Sequence, residues 1–224
     1  MVLKAEQISK QYFRKTGGAN YFYAVKPVSL MLEPGTITVL CGRSGSGKTT
    51  LLHMLAGLLK PTQGKIWLDD TELYSLSDRE LSKLRNRFIG IVPQSRSVLD
   101  TLTVMENILL PATIYETAMQ RDLAEEWIET LNIHHLKDVR AAELSGGELR
   151  RTAIARTLCM QPPVILADEP TGDLDDENTD LVFRCFRKAA EENAAVLIVS
   201  HETDALKFAD HAFRMDGGVV TELM

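Results

Sequence analysis

Hydrophobic and polar positions alternate along the first third of the chain as they do in β-strands. VLKAEQI and VSLMLE show this alternation, and TITVLCG is a short β-rich run that ends in glycine. Residues 14–23, between the first two runs, contain Gly-Gly and Asn, which predicts a loop or hairpin tip. After the third run, the pattern predicts a helix over residues 48–58 that a Lys-Pro pair ends.

The middle of the chain, residues 77–133, has a largely helical pattern. A charged helix, DRELSKLRNR, begins with Ser77 or Asp78 as its N-cap, and the strand FIGIVPQ ends at a proline. In the next helix, VMENILLPATIY, Pro111 is expected to kink or end the helix because proline has no N–H to donate. DLAEEWIETL is amphipathic, and its Trp127 is expected to pack within its own subdomain.

Strand and helix patterns alternate in the last third of the chain. PVILAD and AAVLIVS are continuously apolar strands, and a predicted helix follows each, ENTDLVFRCFRKAAEE and ETDALKFA. HAFRMDGGVVTEL predicts a terminal hairpin that turns at Asp-Gly-Gly. Such strands predict an α/β fold with a mainly parallel sheet covered on both faces, which binds ligands at the carboxyl ends of its strands.

Composition narrows the class of protein. The 224 residues, 45% hydrophobic and 25% charged, suit one α/β domain. A net charge of -6 gives no support to a nucleic-acid partner, because such domains usually carry a basic surface. The sequence has neither a run of ~18 apolar residues, which would span a membrane, nor a signal-peptide pattern, so a cytoplasmic protein is expected. Cys41, Cys159 and Cys185 are widely spaced, which favours buried thiols over zinc ligands or disulfides.

Residues 42–49, GRSGSGKT, form a complete GxxxxGK[ST] phosphate-binding loop between a predicted strand and a predicted helix. Its glycines let backbone N–H groups surround the β- and γ-phosphates, and the helix N-terminus adds a positive dipole. Lys48 would contact the phosphates, and the Thr49 hydroxyl would bind Mg²⁺. The candidate ATP-binding residues of this segment are Gly42, Arg43, Ser44, Gly45, Ser46, Gly47, Lys48, Thr49 and Thr50.

A buried strand at residues 164–167 leads to two carboxylates, Asp168 and Glu169. Asp168 is predicted to bind Mg²⁺, directly or through water, because this ion prefers hard oxygen ligands. Glu169 is placed to polarise the attacking water as a general base. The pair alone would also fit a solvated strand end, but together with the phosphate loop it indicates a catalytic site.

A third motif, LSGGE at residues 144–148, lies at the start of a predicted helix. Ser145 can cap the helix, while Gly146 and Gly147 expose backbone N–H groups to an anion. Alone, this would be an ordinary helix start. Between a phosphate loop and an Asp-Glu strand, it resembles the signature motif of ABC ATPases, with Glu148 in place of the glutamine that many members have.

The resemblance covers essentially the whole chain and implies further roles. Gln94 is similar to the Q-loop glutamine that contacts Mg²⁺ and the lytic water, and His201 to the switch histidine that contacts the γ-phosphate. Asp175 ends TGDLD, which is similar to the D-loop that crosses to a partner subunit. Tyr12 occupies the place of the aromatic residue that stacks on adenine, with the aromatic residues 21–23 (YFY) as the alternative.

The fold implied is a P-loop NTPase core with an N-terminal antiparallel β subdomain and a helical signature subdomain. Residues 1–224 would form one ABC ATPase domain, with about 1–93 and 161–224 as core and β subdomain and about 94–160 as the helical subdomain. TVMENILLP and ILADEPTGDLD look most like the subgroup that serves lipoprotein release, macrolide and peptide export, and the cell-division-associated homologue.

The resemblance also implies that no single chain holds a complete site. ATP on the phosphate loop of one copy would be closed by residues 145–148 of a second, in an isologous homodimer with C₂ symmetry. ATP would favour the closed dimer, and hydrolysis by a Glu169-activated water would release it. A separate membrane permease would convert closure into export or mechanical work and would hold the subunit at the inner face of the cell membrane.

The permease contact is expected at residues 95–103, SRSVLDTLT, directly after Gln94. Val98, Leu99 and Leu102 are apolar in an otherwise polar loop, which fits either an interface or anchoring to the chain's own subdomain. A short cytoplasmic helix of the permease would seat on this loop.

Two other classes of protein share part of the pattern. A P-loop kinase or GTPase would need the phosphate loop, but not LSGGE, Gln94 and His201 together. A soluble ABC ATPase acting on nucleic acid or ribosomes would usually carry tandem domains, a coiled-coil insertion or a basic surface. Stimulation of ATP hydrolysis by nucleic acid would favour this class, whereas co-purification with a membrane protein would favour a transporter.

Overall fold

The strands of this chain form two β-sheets of different type. The computed structural model describes residues 1–15, 19–95, 97–114, 121–201 and 204–223. Within them the strands are β1 (Leu3–Lys15), β2 (Ala19–Leu32), β3 (Ile37–Cys41), β4 (Gln63–Leu68), β5 (Thr71–Glu72), β6 (Ile89–Val92), β7 (Val164–Asp168), β8 (Ala195–Ser200), β9 (His211–Asp216) and β10 (Val219–Glu222). The α-helices are α1 (Lys48–Leu55), α2 (Asp78–Phe88), α3 (Val104–Ile114), α4 (Arg121–Thr130), α5 (Gly146–Cys159) and α6 (Asp176–Glu191).

The larger sheet is mainly parallel and carries the candidate site. Its strand order is β10-β9-β3-β8-β7-β6, and only β10 pairs antiparallel, with β9. Every residue of β3, β7 and β8 is buried. Successive side chains of these strands pack into two separate cores, one formed with α3–α6 and the other with α1 and the smaller sheet. The prediction of a mainly parallel sheet covered on both faces is confirmed.

The smaller sheet is antiparallel, with the order β2-β1-β4-β5. Its buried residues Leu3, Ile8 and Ile66 share a core with Leu51 and Leu52 of α1. The sheet therefore packs against the helix that follows the phosphate loop, and the predicted N-terminal antiparallel β subdomain is confirmed.

Ser77 is the N-cap of α2, as its sequence predicts. Its hydroxyl accepts the N–H of Glu80 at 3.4 Å, and the Glu80 carboxylate accepts the N–H of Ser77 at 3.0 Å. This reciprocal pair satisfies N–H groups that the first turn of a helix otherwise leaves without partners.

At residues 14–23, where the sequence predicts a loop or hairpin tip, β1 and β2 pair antiparallel as a hairpin, and strand covers the whole described part of the segment. Residues 14–15 belong to β1 and 19–23 to β2, while residues 16–18 lie outside the described residues. Aromatic pairs across the two strands stabilise the extended hairpin: the rings of Tyr12 and Phe22 lie 6.0 Å apart, and those of Phe13 and Tyr21 lie 5.3 Å apart. Cross-strand pairing therefore extends both strands into the segment that the sequence assigned to a loop or hairpin tip.

One helix end differs from its prediction, and at Pro111 only one of the two predicted outcomes, an end of the helix, is excluded. The helix predicted over residues 48–58 ends at Leu55, because Gly57 adopts a left-handed conformation (φ +69°) that closes a helix C-terminus. Pro111 does not end α3, which continues to Ile114 and buries Ile108 and Ala112 on either side of the proline. Packing of these side chains outweighs the single hydrogen bond that the proline removes.

The helix predicted over residues 202–209 is a 3₁₀ turn, Asp204–Phe208, with residues 202–203 outside the described part. So short a segment cannot nucleate an α-helix, and its end is fixed by tertiary contacts instead. The Phe208 ring stacks on Phe183 of α6 at 4.6 Å, and its carbonyl accepts from Arg187.

The three cysteines are buried thiols, as predicted. Burial raises the pKa of both Cys159 and Cys185 to about 11, so these two thiols are protonated and unreactive at neutral pH. No helix in the described ranges has the length and apolar character needed to cross a membrane.

Candidate functional site

The phosphate loop connects β3 to α1 and packs closely against the backbones of β2 and β9. A Cβ atom at Gly42 would lie 2.2 Å from the Met215 carbonyl oxygen, and one at Gly47 would lie 2.1 Å from that of Ala24. Gly47 also has φ +109°, a conformation that L-residues rarely adopt. Close backbone approach therefore requires glycine at both positions and holds the loop in place.

Lys48 points its ammonium group back over the loop. Its Nζ donates to the carbonyls of Gly42 at 2.7 Å and Arg43 at 3.1 Å, and lies 3.8 Å from Oε1 of Glu169. Only 7% of its side chain is exposed. The loop and the second carboxylate of the Asp-Glu pair are thus brought into one site.

A cavity of about 340 Å³ opens beside the loop and brings several predicted residues together. The predicted residues on its wall are Ser44, Gly45, Ser46, Gly47, Lys48, Thr49, Thr50, Gln94 and Glu169. Gly42, Arg43 and His201 line a second cavity, of about 430 Å³. Ala24, Gly217 and Gly218 also line the first cavity. The sequence patterns missed these three, because Asp-Gly-Gly signals only a turn and the approach of that turn to the loop is a tertiary feature.

Only some of the aromatic residues predicted to stack on adenine line this cavity. Phe22 and Tyr23 line the cavity, whereas Tyr12 is not among its lining residues and lies across the strand pair from Phe22. All three side chains are at least one-third exposed. Phe22 and Tyr23, two of the three residues of the alternative segment, thus form the aromatic wall of this cavity.

Asp168 lies at the carboxyl end of β7 with its side chain almost fully buried. Oδ1 has no hydrogen-bond partner within the described residues, and the nearby Thr49 hydroxyl acts to lower the pKa of the carboxyl. Burial raises the pKa of the carboxyl above its ordinary value of 3.8, and the negative charge of Glu169 adds to the rise. A buried carboxylate oxygen beside a threonine hydroxyl fits Mg²⁺, which takes hard oxygen ligands.

Glu169 is held by the backbone of β8. Its N–H donates to the Val199 carbonyl at 2.8 Å, and its φ of +49° is a strained value for a residue other than glycine. Oε2 accepts the backbone N–H of His201 at 3.2 Å and lies 2.8 Å from the ring Nδ1. His201 and Lys48 therefore contact the same carboxylate from two sides.

Ser145 caps α5, and Glu148 completes the cap. The Ser145 hydroxyl accepts the N–H of Glu148 at 3.4 Å, while the Glu148 carboxylate accepts the N–H of Ser145 at 2.7 Å. This backbone hydrogen bond lowers the pKa of Glu148. The glutamate that departs from the commoner family residue thus fills a structural position at the helix start.

The motif at residues 145–148 does not line the cavity beside the phosphate loop. None of its residues is among those that line this cavity, and Ser145 and Gly146 are exposed. Asp175 caps the neighbouring helix α6 by accepting the N–H of Asn178 at 2.8 Å. The two segments predicted to reach a partner, 145–148 and Asp175, are therefore not part of the chain's own nucleotide cavity.

Replacement of Asp168 by Asn is expected to raise the free energy of unfolding of the nucleotide-free protein by about 1 kcal/mol at pH 7.5. Because the folded-state pKa of Asp168 is raised, ionisation of the carboxyl disfavours the folded state as pH rises through that pKa. The advantage of Asn should therefore shrink as pH falls toward 3.8, the ordinary value. Urea unfolding at pH 7.5 and pH ~4 measures both effects.

Asp180→Asn, an exposed position on α6, is the matched control and should change the unfolding free energy by less than ~0.5 kcal/mol at either pH. A lower stability of Asp168→Asn at pH 7.5 would contradict a destabilising buried charge.

Comparison with known proteins identifies the family of this chain. The profile described as ABC transporter matches residues 25–172. The chain is 37% identical over 221 residues to the lipoprotein-releasing system ATP-binding protein LolD of Buchnera aphidicola, covering 97% of this chain and 95% of that protein. It is 38% identical over 226 residues to the ABC transporter ATP-binding protein YvcR of Bacillus subtilis, covering 99% and 87% of the two chains.

Solved structures agree with the sequence relatives. The dimeric structure of the ABC transporter cassette MJ0796, described as bacterial, superposes with a TM-score of 0.90 at 33% identity, covering 99% of both chains. A dimeric post-hydrolysis state of MJ0796 bound to ADP and Pi gives 0.89 at 32% identity, again over 99% of both. The chain belongs to the ABC transporter family and is an ATP-binding ATPase cassette of that family.

Proposed function

We propose that this ATPase closes as a homodimer around two ATP molecules and powers a separate membrane permease, from the inner face of the membrane. The observation that carries the proposal is that the second predicted half of the site does not line the nucleotide cavity of its own chain. None of residues 145–148 is on the wall of the cavity beside the phosphate loop. A second copy can supply them, and the two solved MJ0796 structures are dimeric.

The helix that begins with Ser145 is suited to bind the phosphates of a partner's ATP. α5 has 14 residues, so its N-terminus carries the positive end of a substantial helix dipole. Ser145 and Gly146 are exposed, which leaves this end accessible to a second chain. An isologous pair would use each such end once, giving two equivalent sites.

Contacts to Glu169 suggest how ATP prepares the site for hydrolysis. Lys48 and His201 both contact its carboxylate. A γ-phosphate would compete for these two groups, because it offers several charged acceptor oxygens. Glu169 would then be released to accept a proton from the attacking water, with Gln94 helping to orient that water.

We propose that Mg²⁺ is bound by Thr49, Asp168 and Gln94. The buried Asp168 oxygen without a partner and the adjacent Thr49 hydroxyl supply the oxygen donors that this ion takes. When bound, Mg²⁺ supplies positive charge that offsets the charge of the β- and γ-phosphates.

For the permease contact we propose the loop of residues 95–103, with Leu99 as its exposed apolar side chain. Leu99 is 48% exposed, whereas Val98 is buried against Ala141 and Ala153 and so anchors the loop. Asn107, fully buried, binds both the N–H of Leu99 at 2.7 Å and its carbonyl at 3.0 Å. A fixed, exposed leucine on a loop is a suitable anchor for a partner helix.

Relatives named as lipoprotein-releasing ATP-binding proteins support a complex that exports or performs mechanical work. The soluble alternative, an ABC ATPase acting on nucleic acid or ribosomes, is disfavoured by the net charge of -6.

Glu169→Gln is expected to lower ATP turnover by about 10²–10⁴-fold, because the amide keeps the size of the side chain but loses its basicity. ATP binding should be retained, so the variant should accumulate as an ATP-bound dimer. Steady-state phosphate release and sedimentation velocity with ATP measure the two effects. Glu222→Gln, on β10, is the matched control and should behave as wild type. Near-normal turnover of Glu169→Gln would remove Glu169 from the role of general base.

Leu99→Asp is expected to leave the ATPase of the isolated subunit within about twofold of wild type and to abolish its stimulation or restraint by the permease, because the change places a charge in an apolar contact. The permease is the membrane protein that co-purifies with the tagged subunit. Leu58→Asp, an equally exposed leucine next to α1, serves as the control. If the Leu99 variant keeps normal assembly and coupling, the contact lies elsewhere.

A further inference from the structure

We infer that Arg150, in the second turn of α5, is a positioning residue that fixes the backbone at Gln94. Each α5 would then affect both sites of the dimer. Its first residues would contact the ATP bound to the partner, and its Arg150 would set the position of Gln94 at the ATP bound to its own chain. This inference rests on the proposed shared site, but the contacts of Arg150 lie within one chain.

The guanidinium of Arg150 donates hydrogen bonds to two consecutive backbone carbonyls. Nη1 donates to the Pro93 carbonyl at 2.6 Å and Nη2 to the Gln94 carbonyl at 2.7 Å. Only 9% of the Arg150 side chain is exposed, so solvent screens these charge-assisted bonds little. The planar fork of arginine can reach both acceptors at once, which the single ammonium of lysine does less well.

The charge of the same guanidinium is partly balanced by Asp173. Nη2 lies 3.6 Å from the Asp173 carboxylate, in the segment that leads to Asp175. Arg150 thus touches the segment of Gln94, predicted to take part in catalysis, and the segment of Asp175, predicted to cross to a partner subunit. It does so from the helix that carries Ser145.

α5 holds the rest of this segment in the same way. Arg156 donates to both the carbonyl and the hydroxyl of Ser97 at 2.8 Å, and the Thr157 hydroxyl donates to the Ile91 carbonyl at 3.2 Å. Hydrogen bonds from one helix therefore bind the chain before and after Gln94. A rotation of α5 would carry the backbone at Gln94 with it.

This attachment gives a physical route between the two sites of a dimer. When the start of α5 moves to meet a partner's ATP, Arg150 would move the Gln94 backbone of its own site. Both events involve one rigid element with defined hydrogen bonds, which is the type of connection that coupling between sites requires.

Arg150→Lys, which keeps the charge but loses the fork, tests the inference in the full-length protein. Hydrogen exchange of the backbone amides of residues 94–97 in the nucleotide-free protein should rise by about tenfold, because loss of one charge-assisted hydrogen bond to the carbonyls of this segment makes its local opening more frequent. The Mg²⁺ concentration for half-maximal ATPase should rise by at least about fivefold, because Gln94 is less well placed. Arg150→Ala should show both effects more strongly.

Arg156→Ala is the matched control, since it removes two hydrogen bonds from the same segment, three residues beyond Gln94. It should raise hydrogen exchange near Ser97 but shift the Mg²⁺ requirement by less than about twofold. Equal Mg²⁺ shifts in the Arg150 and Arg156 variants, or wild-type exchange and Mg²⁺ dependence in Arg150→Lys, would overturn the inference. The exchange measurement needs no activity, so it decides the role of Arg150 even if the proposed coupling to a permease fails.

Discussion

Parallel pairing of β3, β8 and β7 is the constraint on which the rest of the site depends. Cys41 pairs with Ser200, and Asp168 pairs with Val199, so the three strands end at nearly the same level. The chain segments that leave them begin with the phosphate loop, His201 and Glu169. A one-residue slip of β7 would turn Asp168 to the opposite face and separate these groups. The apolar residues buried on both faces of these strands hold the register in place.

Two features of the site disfavour the folded state. Asp168 is a buried carboxylate with a raised pKa, and Glu169 has a strained φ of +49°. Local features that disfavour the folded state are common where a protein must bind a charged ligand or orient a reacting group. Extensive apolar packing beneath the sheet edge allows such features to persist, and a bound metal or phosphate would offset part of their cost.

The motifs were readable in the sequence because their chemistry is local. The phosphate loop needs its glycines within a few residues, and the cap of α2 lies within one turn, at Ser77 and Glu80. Predictions from the sequence failed where contacts between residues far apart in the sequence determine the local structure. Cross-strand aromatic pairs extend the first hairpin, and side-chain packing continues α3 through Pro111. The contact of Arg150 with carbonyls 56 and 57 residues away has no sequence signal at all.

Sharing of each site between two chains is the central claim, and complementation of two defective variants tests it most directly. Lys48→Ala removes the phosphate contact of its own chain, whereas Ser145→Arg blocks the surface offered to the partner. A mixed dimer holds one site with both defects and one site with neither. Mixing equal amounts of the two inactive proteins should therefore restore up to about one-quarter of wild-type ATP turnover, if each intact site works alone. Full turnover by Ser145→Arg alone would contradict the claim.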